Sequence, residues 1–163
     1  MIPYMARTRR YYQTLGYPPY EWAHFDDVPF AVPARRVNAS NLVLITTAAP
    51  HRAELGDQGP GAAYNAGAKF FQVYSAAVDP APDLRISHLG YDRLHTTAED
   101  SNTWLPLSAL KAAVVEGTLG WLAERLIGVP TNRSQRVTME QDAPAALDLC
   151  RELDAHMALL VPS

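Results

Sequence analysis

The chain is almost without cysteine: Cys150 is its only thiol in 163 residues. One thiol excludes an internal disulfide framework and a thiolate metal cage. A strong charge of either sign is also missing, because 14 basic and 17 acidic side chains leave a net charge of -3. So weak a field argues against a general nucleic-acid binder, which needs a concentrated positive patch to displace counterions. No apolar run approaches the roughly 18 to 20 residues that cross a bilayer. The opening stretch "MIPYMARTRRYY" mixes arginines with tyrosines and does not read as a secretory signal. Repeats, low-complexity tracts and a composition break that would mark a second domain are absent as well. What is there is 48% hydrophobic, enough to fold around one core. The expectation is a single cytoplasmic domain, 1–163, with an N-terminal helix and arm over 1–20 and a core over 40–163.

Along the chain, Pro3 suits a first helical position, Gly16 a helix stop, and Pro18-Pro19 forbid continuation, so a helix is expected between them. Tyr4, Tyr11, Tyr12 and Leu15 share one face of it, and Arg7, Arg9 and Arg10 sit among them. A solvated flank with stems packed along tyrosines is the preferred reading of those arginines over an anion patch. "EWAHFDDVPFAVPARRVNAS" reads as an extended arm. Leu42 to Ile45 form the clearest strand, apolar enough to be buried on both faces, with Thr46-Thr47 as its polar end. Further strands are expected over Phe70–Tyr74, Leu84–Ser87 and Met157–Val161, the last as a buried strand. A helix is expected from Pro106 to a stop at Gly117, with Leu107, Leu110 and Val114 on one face. A shorter helical turn is expected in "LGWLAERLIG". A final helix is expected from an Asp142 cap, with Pro144 in its first turn and Ala146, Leu149, Cys150 and Leu153 on one stripe. The order β, β, β, α, α, β predicts an α/β layered sandwich with a largely parallel sheet. The glycine-rich stretch "GDQGPGAAYNAGAK" lacks the spacing and following helix of a phosphate-binding loop.

The densest polar constellation is "SHLGYDRLHTTAEDSN", between a strand and the Pro106 helix. Ligands bind in loops past the carboxyl ends of strands in open α/β sheets. His88 with Asp92 therefore reads as a catalytic acid or base and its orienting partner. Asp100 and Asn102 read as shaping the substrate-binding loop, against the plainer reading of both as turn formers. Thr46 and Thr47 are placed to donate hydrogen bonds into the same cleft. The two histidines of this stretch lie too far apart across a loop to match a dedicated metal motif, so no metal is expected. Cys150, on the apolar stripe of its helix, reads as a buried small hydrophobe.

Taken in order, "ARTRRYYQTLGYPPYEWAHFDDVPF", "LVLITTAAP", "LRISHLGYD", "EDSNTWLPLSAL" and "EGTLGWLAER" resemble the B-subunit (selenoprotein B) proteins of glycine, sarcosine, betaine and D-proline reductase. The resemblance runs from about Tyr4 to Arg125. It implies an oxidoreductase with a disulfide as acceptor, cleaving a carbon–nitrogen bond of a small amine or amino acid with electrons from thiols. His88, Asp92, Asp100 and Asn102 fall on the family's motif positions. The family's nucleophile is a selenocysteine or cysteine following a hydrophobic strand late in the chain, a position that Met157–Ser163 resembles, but no redox motif follows here. The chain is therefore expected to be truncated, by a selenocysteine codon read as a stop or by a cut, or else to be a natural short form that has lost the chemistry, and Met157–Ser163 to lie at a chain–chain interface or beside an open apolar groove. The resemblance also implies partners: other reductase components, one of them a subunit bearing a pyruvoyl cofactor that this chain does not form, and a thiol or disulfide electron carrier. A homo-oligomer is expected from the aromatic arm. The competing expectation is a non-catalytic binding or assembly subunit. A racemase-like enzyme would need two opposed acid/base groups, often thiols, and Cys150 does not supply them.

Overall fold

The computed structural model describes residues 3–55, 63–88, 91–92, 94–96, 98–131 and 134–163. Half of the glycine-rich stretch, residues 56–62, lies outside these. The chain forms two compact units, Met1–Val32 and Pro33–Ser163.

In the first unit, helix α1 spans Pro3–Thr14 and ends where Gly16 adopts φ 80°, a left-handed conformation open to glycine. The residues after it, up to Val32, form no regular helix or strand; the stretch expected as an extended arm also contains a 3-10 turn, Val37–Ala39. What holds the arm to the helix is aromatic: the Tyr20 ring lies 5.1 Å from Tyr12 and 4.8 Å from Trp22, whose ring meets Tyr4 edge-on at 5.8 Å. Arg9 adds a hydrogen bond from Nε to the Tyr20 carbonyl at 3.3 Å. No residue of α1 is buried.

The second unit is built on β1, Asn41–Thr46. The other strands are β2 (Ala49–Pro50), β3 (Tyr74–Ala77), β4 (Leu84–Arg85), β5 (Trp121–Leu122), β6 (Arg125–Gly128) and β7 (Met157–Val161). Strand β7 runs parallel to β1 along one whole edge, from Leu42↔Met157 to Thr46↔Val161. The other edge is shared. Strand β5 pairs in parallel with the start of β1, at Asn41↔Trp121 and Leu42↔Leu122, and β6 with its end, at Ile45↔Ile127 and Thr46↔Gly128. Val43 and Leu44 thus face the longer run Ala123–Leu126, and the surplus residues kink the partner strand as a bulge does. Strand β3 closes that side, antiparallel to β6. The result is a mixed α/β unit with a curled, mostly parallel sheet in which β1 is central, as expected.

Alternation along β1 divides the core. Leu44 packs into one cluster with Leu107 and Leu110 of helix α2 (Leu107–Val115), joined by Leu84, Ile86, Trp104 and Leu126. Val43 and Ile45 face a second cluster, formed with Ala146, Leu149, Cys150 and Leu153. That stripe belongs to the last helix of the chain, which follows a short turn, α3 (Gln135–Val137), and is numbered α4 (Ala143–Glu152). Helix α2 stops as expected: Gly117 has φ 74° and its N–H returns to the Val114 carbonyl at 3.1 Å.

Several expectations are corrected. "LGWLAERLIG" is not helical; it holds β5 and β6. Its leucines, alanine, glutamate and arginine favour helix intrinsically, but the open edge of β1 pairs with this segment and buries Leu126 and Ile127 completely. The second strand lies at Tyr74–Ala77, not Phe70–Tyr74; Phe71 is exposed. Leu84–Ser87 does not join the main sheet. Its first two residues pair with β2 in a separate antiparallel sheet, and all four are buried, so its apolar–polar alternation marks no solvent face. Asp142 is not a cap either. It sits in helical conformation at the end of a π turn, Thr138–Asp142, that joins α3 to α4, and the cap is Ser134, whose Oγ accepts from the Val137 N–H at 3.3 Å. Finally, Met157–Val161 is no interior strand: its middle residues are exposed, because nothing among the described residues pairs with its outer edge.

Candidate functional site at the carboxyl edge of the sheet

The parallel strands β1, β6 and β7 all deliver the chain to the same edge. There an open cavity of about 370 Å³ is lined by Thr47, His88, Tyr91, Asp92, Thr131, Pro162 and Ser163. Thr47 and Ser163 are the residues just beyond β1 and β7, and Thr131 follows β6. His88, Tyr91 and Asp92 come from the loop after Ile86. This edge is where open α/β sheets bind ligands.

The expected residues divide. His88, Asp92 and Thr47 meet at this cavity. Thr46 does not line it; its side chain is buried and its hydroxyl accepts from the Ala48 N–H at 3.1 Å, tightening the turn out of β1. Thr47 is occupied rather than free: its Oγ1 accepts from the Ser163 N–H at 2.7 Å and donates to the Ser163 carbonyl at 2.9 Å. It pins the exit of β7 to the exit of β1. Asp100 and Asn102 are outside the lining. Asp100 Oδ1 accepts from the Asn102 N–H at 2.9 Å, and Asn102 Oδ1 in turn accepts from the Ser108 hydroxyl at 2.7 Å and the Ala109 N–H at 3.1 Å. Asp100 thus caps the 3-10 turn Ser101–Thr103, as the plainer reading of a turn former expects, and Asn102, carried by that turn, caps the start of α2, where Pro106 has no side chain that could do so.

Asp92 is not the partner that the sequence suggested. Its Oδ1 accepts from the backbone N–H groups of Leu94 and His95, at 3.0 and 3.1 Å, and its Oδ2 meets His95 Nδ1 at 2.8 Å. The His95 hydrogen bond, followed by the backbone ones, holds the carboxyl below its ordinary range. Cys150 is half-buried in the α4 cluster, away from the cavity, and burial pushes its thiol up, so it is no nucleophile for this site. Among the described residues no group of histidine, cysteine and carboxylate side chains gathers as a metal site.

Sequence reasoning missed Tyr91, Thr131, Pro162, Ser163 and His95. Tyr91 lies inside the "ISH-x-x-YD" pattern and was open to selection. Thr131 was not, because the strand that carries it to this edge is spelled in residues that favour helix. A larger cavity, about 560 Å³, opens at the amino ends of the strands. Its polar groups hold β7 to β1: Asn41 donates from its backbone N–H to His156 Nδ1 at 2.9 Å and from Nδ2 to the Leu153 carbonyl at 2.8 Å. No described helix is long and apolar enough to cross a membrane. Comparison with family models, with curated proteins and with solved structures returned no match.

Proposed function

We propose that the cavity at the carboxyl edge is the substrate side of a site for thiol- or selenol-dependent reductive carbon–nitrogen cleavage of a small amine or amino acid, as the resemblance to reductase B subunits implies. One observation carries the reading. His88, Tyr91 and Asp92 of the "ISH-x-x-YD" pattern share a single cavity with Thr47 and with Pro162-Ser163, beyond the strand that resembles the family's nucleophile-bearing one. In this reading His88 supplies the proton donor or anion contact. The nucleophile is a thiol or selenol brought to the cavity, its electrons come from a thiol carrier, and any pyruvoyl group belongs to a partner subunit. The two clusters on the α2 and α4 sides of β1 support a layered sandwich as the scaffold. A cytoplasmic location goes with the same reading.

The test places a thiol where the cavity should activate one. In a Cys150→Ser background, Ser163→Cys is alkylated across a pH series. A site that favours a thiolate gives a midpoint below the free-thiol value of about 8.5, and His88→Gln returns it upward. A midpoint at or above that value, indifferent to His88→Gln, overturns the reading.

A second reading, a binding or assembly subunit, is favoured by the first unit. It leaves Tyr4, Tyr11, Tyr17, Phe25 and Phe30 exposed on a helix and arm with no buried core, a surface of the kind that marks association. Light scattering of the whole chain tests it: a homo-oligomer that dissociates on Phe30→Ser with Tyr11→Ser supports it, and a monomer at high concentration refutes it.

A further inference from the structure

Asp92 lines the candidate cavity, whereas His95 lies outside its lining with a side chain 81% exposed. The bonds between them have a direction. Both backbone N–H groups are spent on Oδ1, so among the described residues Oδ2 has one partner, His95 Nδ1. An ionised carboxylate only accepts, so the imidazole must carry its proton on Nδ1 and turn Nε2 outward. In metal and triad sites the same kind of contact, a carboxylate on one ring nitrogen, fixes ring and carboxylate together. Here the histidine stands behind the carboxylate, and it is the carboxylate that belongs to the cavity wall.

We propose that His95 is a positioning residue of the cavity: by donating from Nδ1 to Oδ2 it holds the Asp92 carboxylate in one orientation, as a fixed anion facing the reacting group and not as a proton donor. The carboxylate–imidazole couple of this loop is therefore Asp92–His95. The assignment rests on reading the cavity as the functional site. Its physical core, a backbone turn that fixes one carboxylate oxygen and a histidine that fixes the other, is separately measurable.

The substitutions discriminate by geometry. Asparagine can place an amide N–H where Nδ1 was, whereas glutamine places its amide nearer the Nε2 position. The whole chain, labelled with ¹⁵N in histidine and ¹³C in aspartate carboxyl groups, is titrated by nuclear magnetic resonance. The expected neutral form of His95 carries its proton on Nδ1 and loses that preference in Asp92→Asn. The Asp92 carboxyl titrates below the ordinary carboxylate range, stays low in His95→Asn and moves up in His95→Gln. A His95 ring protonated on Nε2, or an Asp92 titration equal in His95→Asn and His95→Gln, overturns the assignment. The Ser163→Cys alkylation series separates the two failures. If His88→Gln has no effect on that thiol while the Asp92–His95 coupling is intact, the functional reading has failed and the couple remains a local fact. If the thiol responds to His88 and the coupling is absent, only the role of His95 has failed.

Discussion

Strands β1 and β7 are written in nearly the same alphabet, "LVLIT" and "MALLV", and lie side by side in parallel register, yet Leu44 is 0% exposed and Leu160 is 68% exposed. Composition does not separate them. The difference is the number of neighbours: among the described residues β1 has a strand on each edge and a cluster on each face, while β7 pairs with β1 alone and packs only Val161 against a cluster. An apolar run announces a strand; its place in the sheet decides how much of that apolar surface leaves water.

The contrast is sharpest under truncation of the two leucines. Leu44→Ala should cost about 2 to 5 kcal/mol, because it removes buried methyl groups and leaves a cavity, whereas Leu160→Ala should stay within about 0.5 kcal/mol. Urea midpoints at constant slope measure both, and equal losses would show that the outer edge of β7 is covered in solution.

Next in size is the contact that closes the far side of the sheet. Tyr74 of β3 lies over Gly128 of β6, where an added Cβ would come within 1.9 Å of the ring. Gly128→Ala should therefore cost about 1 to 3 kcal/mol through overpacking. Combining it with Tyr74→Leu, which clears the clash, should recover part of the loss.

Tyr74 also sets an alkaline limit. Its hydroxyl donates to the Ala48 carbonyl at 2.6 Å, and burial pushes its titration well above the ordinary phenol range. Because the folded state keeps this proton after the unfolded chain has lost it, stability falls as pH rises beyond about 10, the unfolded value. Tyr74→Phe should flatten that decline and lose the hydroxyl bond, about 1 kcal/mol at neutral pH. A decline unchanged in Tyr74→Phe would assign it to another group.

The smallest expected effect lies where β7 enters. Because Asn41 donates its backbone N–H to His156 Nδ1, this imidazole must hold its proton on Nε2, opposite to His95. His156→Ala should cost about 1 kcal/mol and speed hydrogen exchange at the Asn41 amide. Protection of that amide unchanged in the variant would show that the ladder alone holds β7.

The candidate site was legible to the extent that it depends on local pattern. "ISH-x-x-YD" after an apolar run brought out His88 and Asp92, and the polar end of "LVLITT" brought out Thr47; the three do share one cavity. Where several readings fitted the same residues, spacing did not choose. Asp100 and Asn102 suit a substrate loop and a turn equally well, and only the bond of Asp100 to the Asn102 N–H and those of Asn102 to Ser108 and Ala109 give them the second role. Asp92 has a histidine at −4 and another at +3, and the turn that spends its Oδ1 on the intervening backbone selects the second.

By itself the sequence determined what is decided within a few residues: the start of α1 at Pro3, the stops at Gly16 and Gly117, the apolar stripe of α4 and the strand character of β1 and β7. These follow from φ restriction, missing donors and side-chain periodicity, all of which act locally. Tertiary structure alone decided that Trp121–Leu122 and Arg125–Gly128 are strands, that Leu84–Arg85 belongs to another sheet, and that β7 stands at an edge. Each of these depends on which backbone hydrogen-bonding groups remain unpaired elsewhere in the fold, and a strand's own residues carry no record of its neighbours.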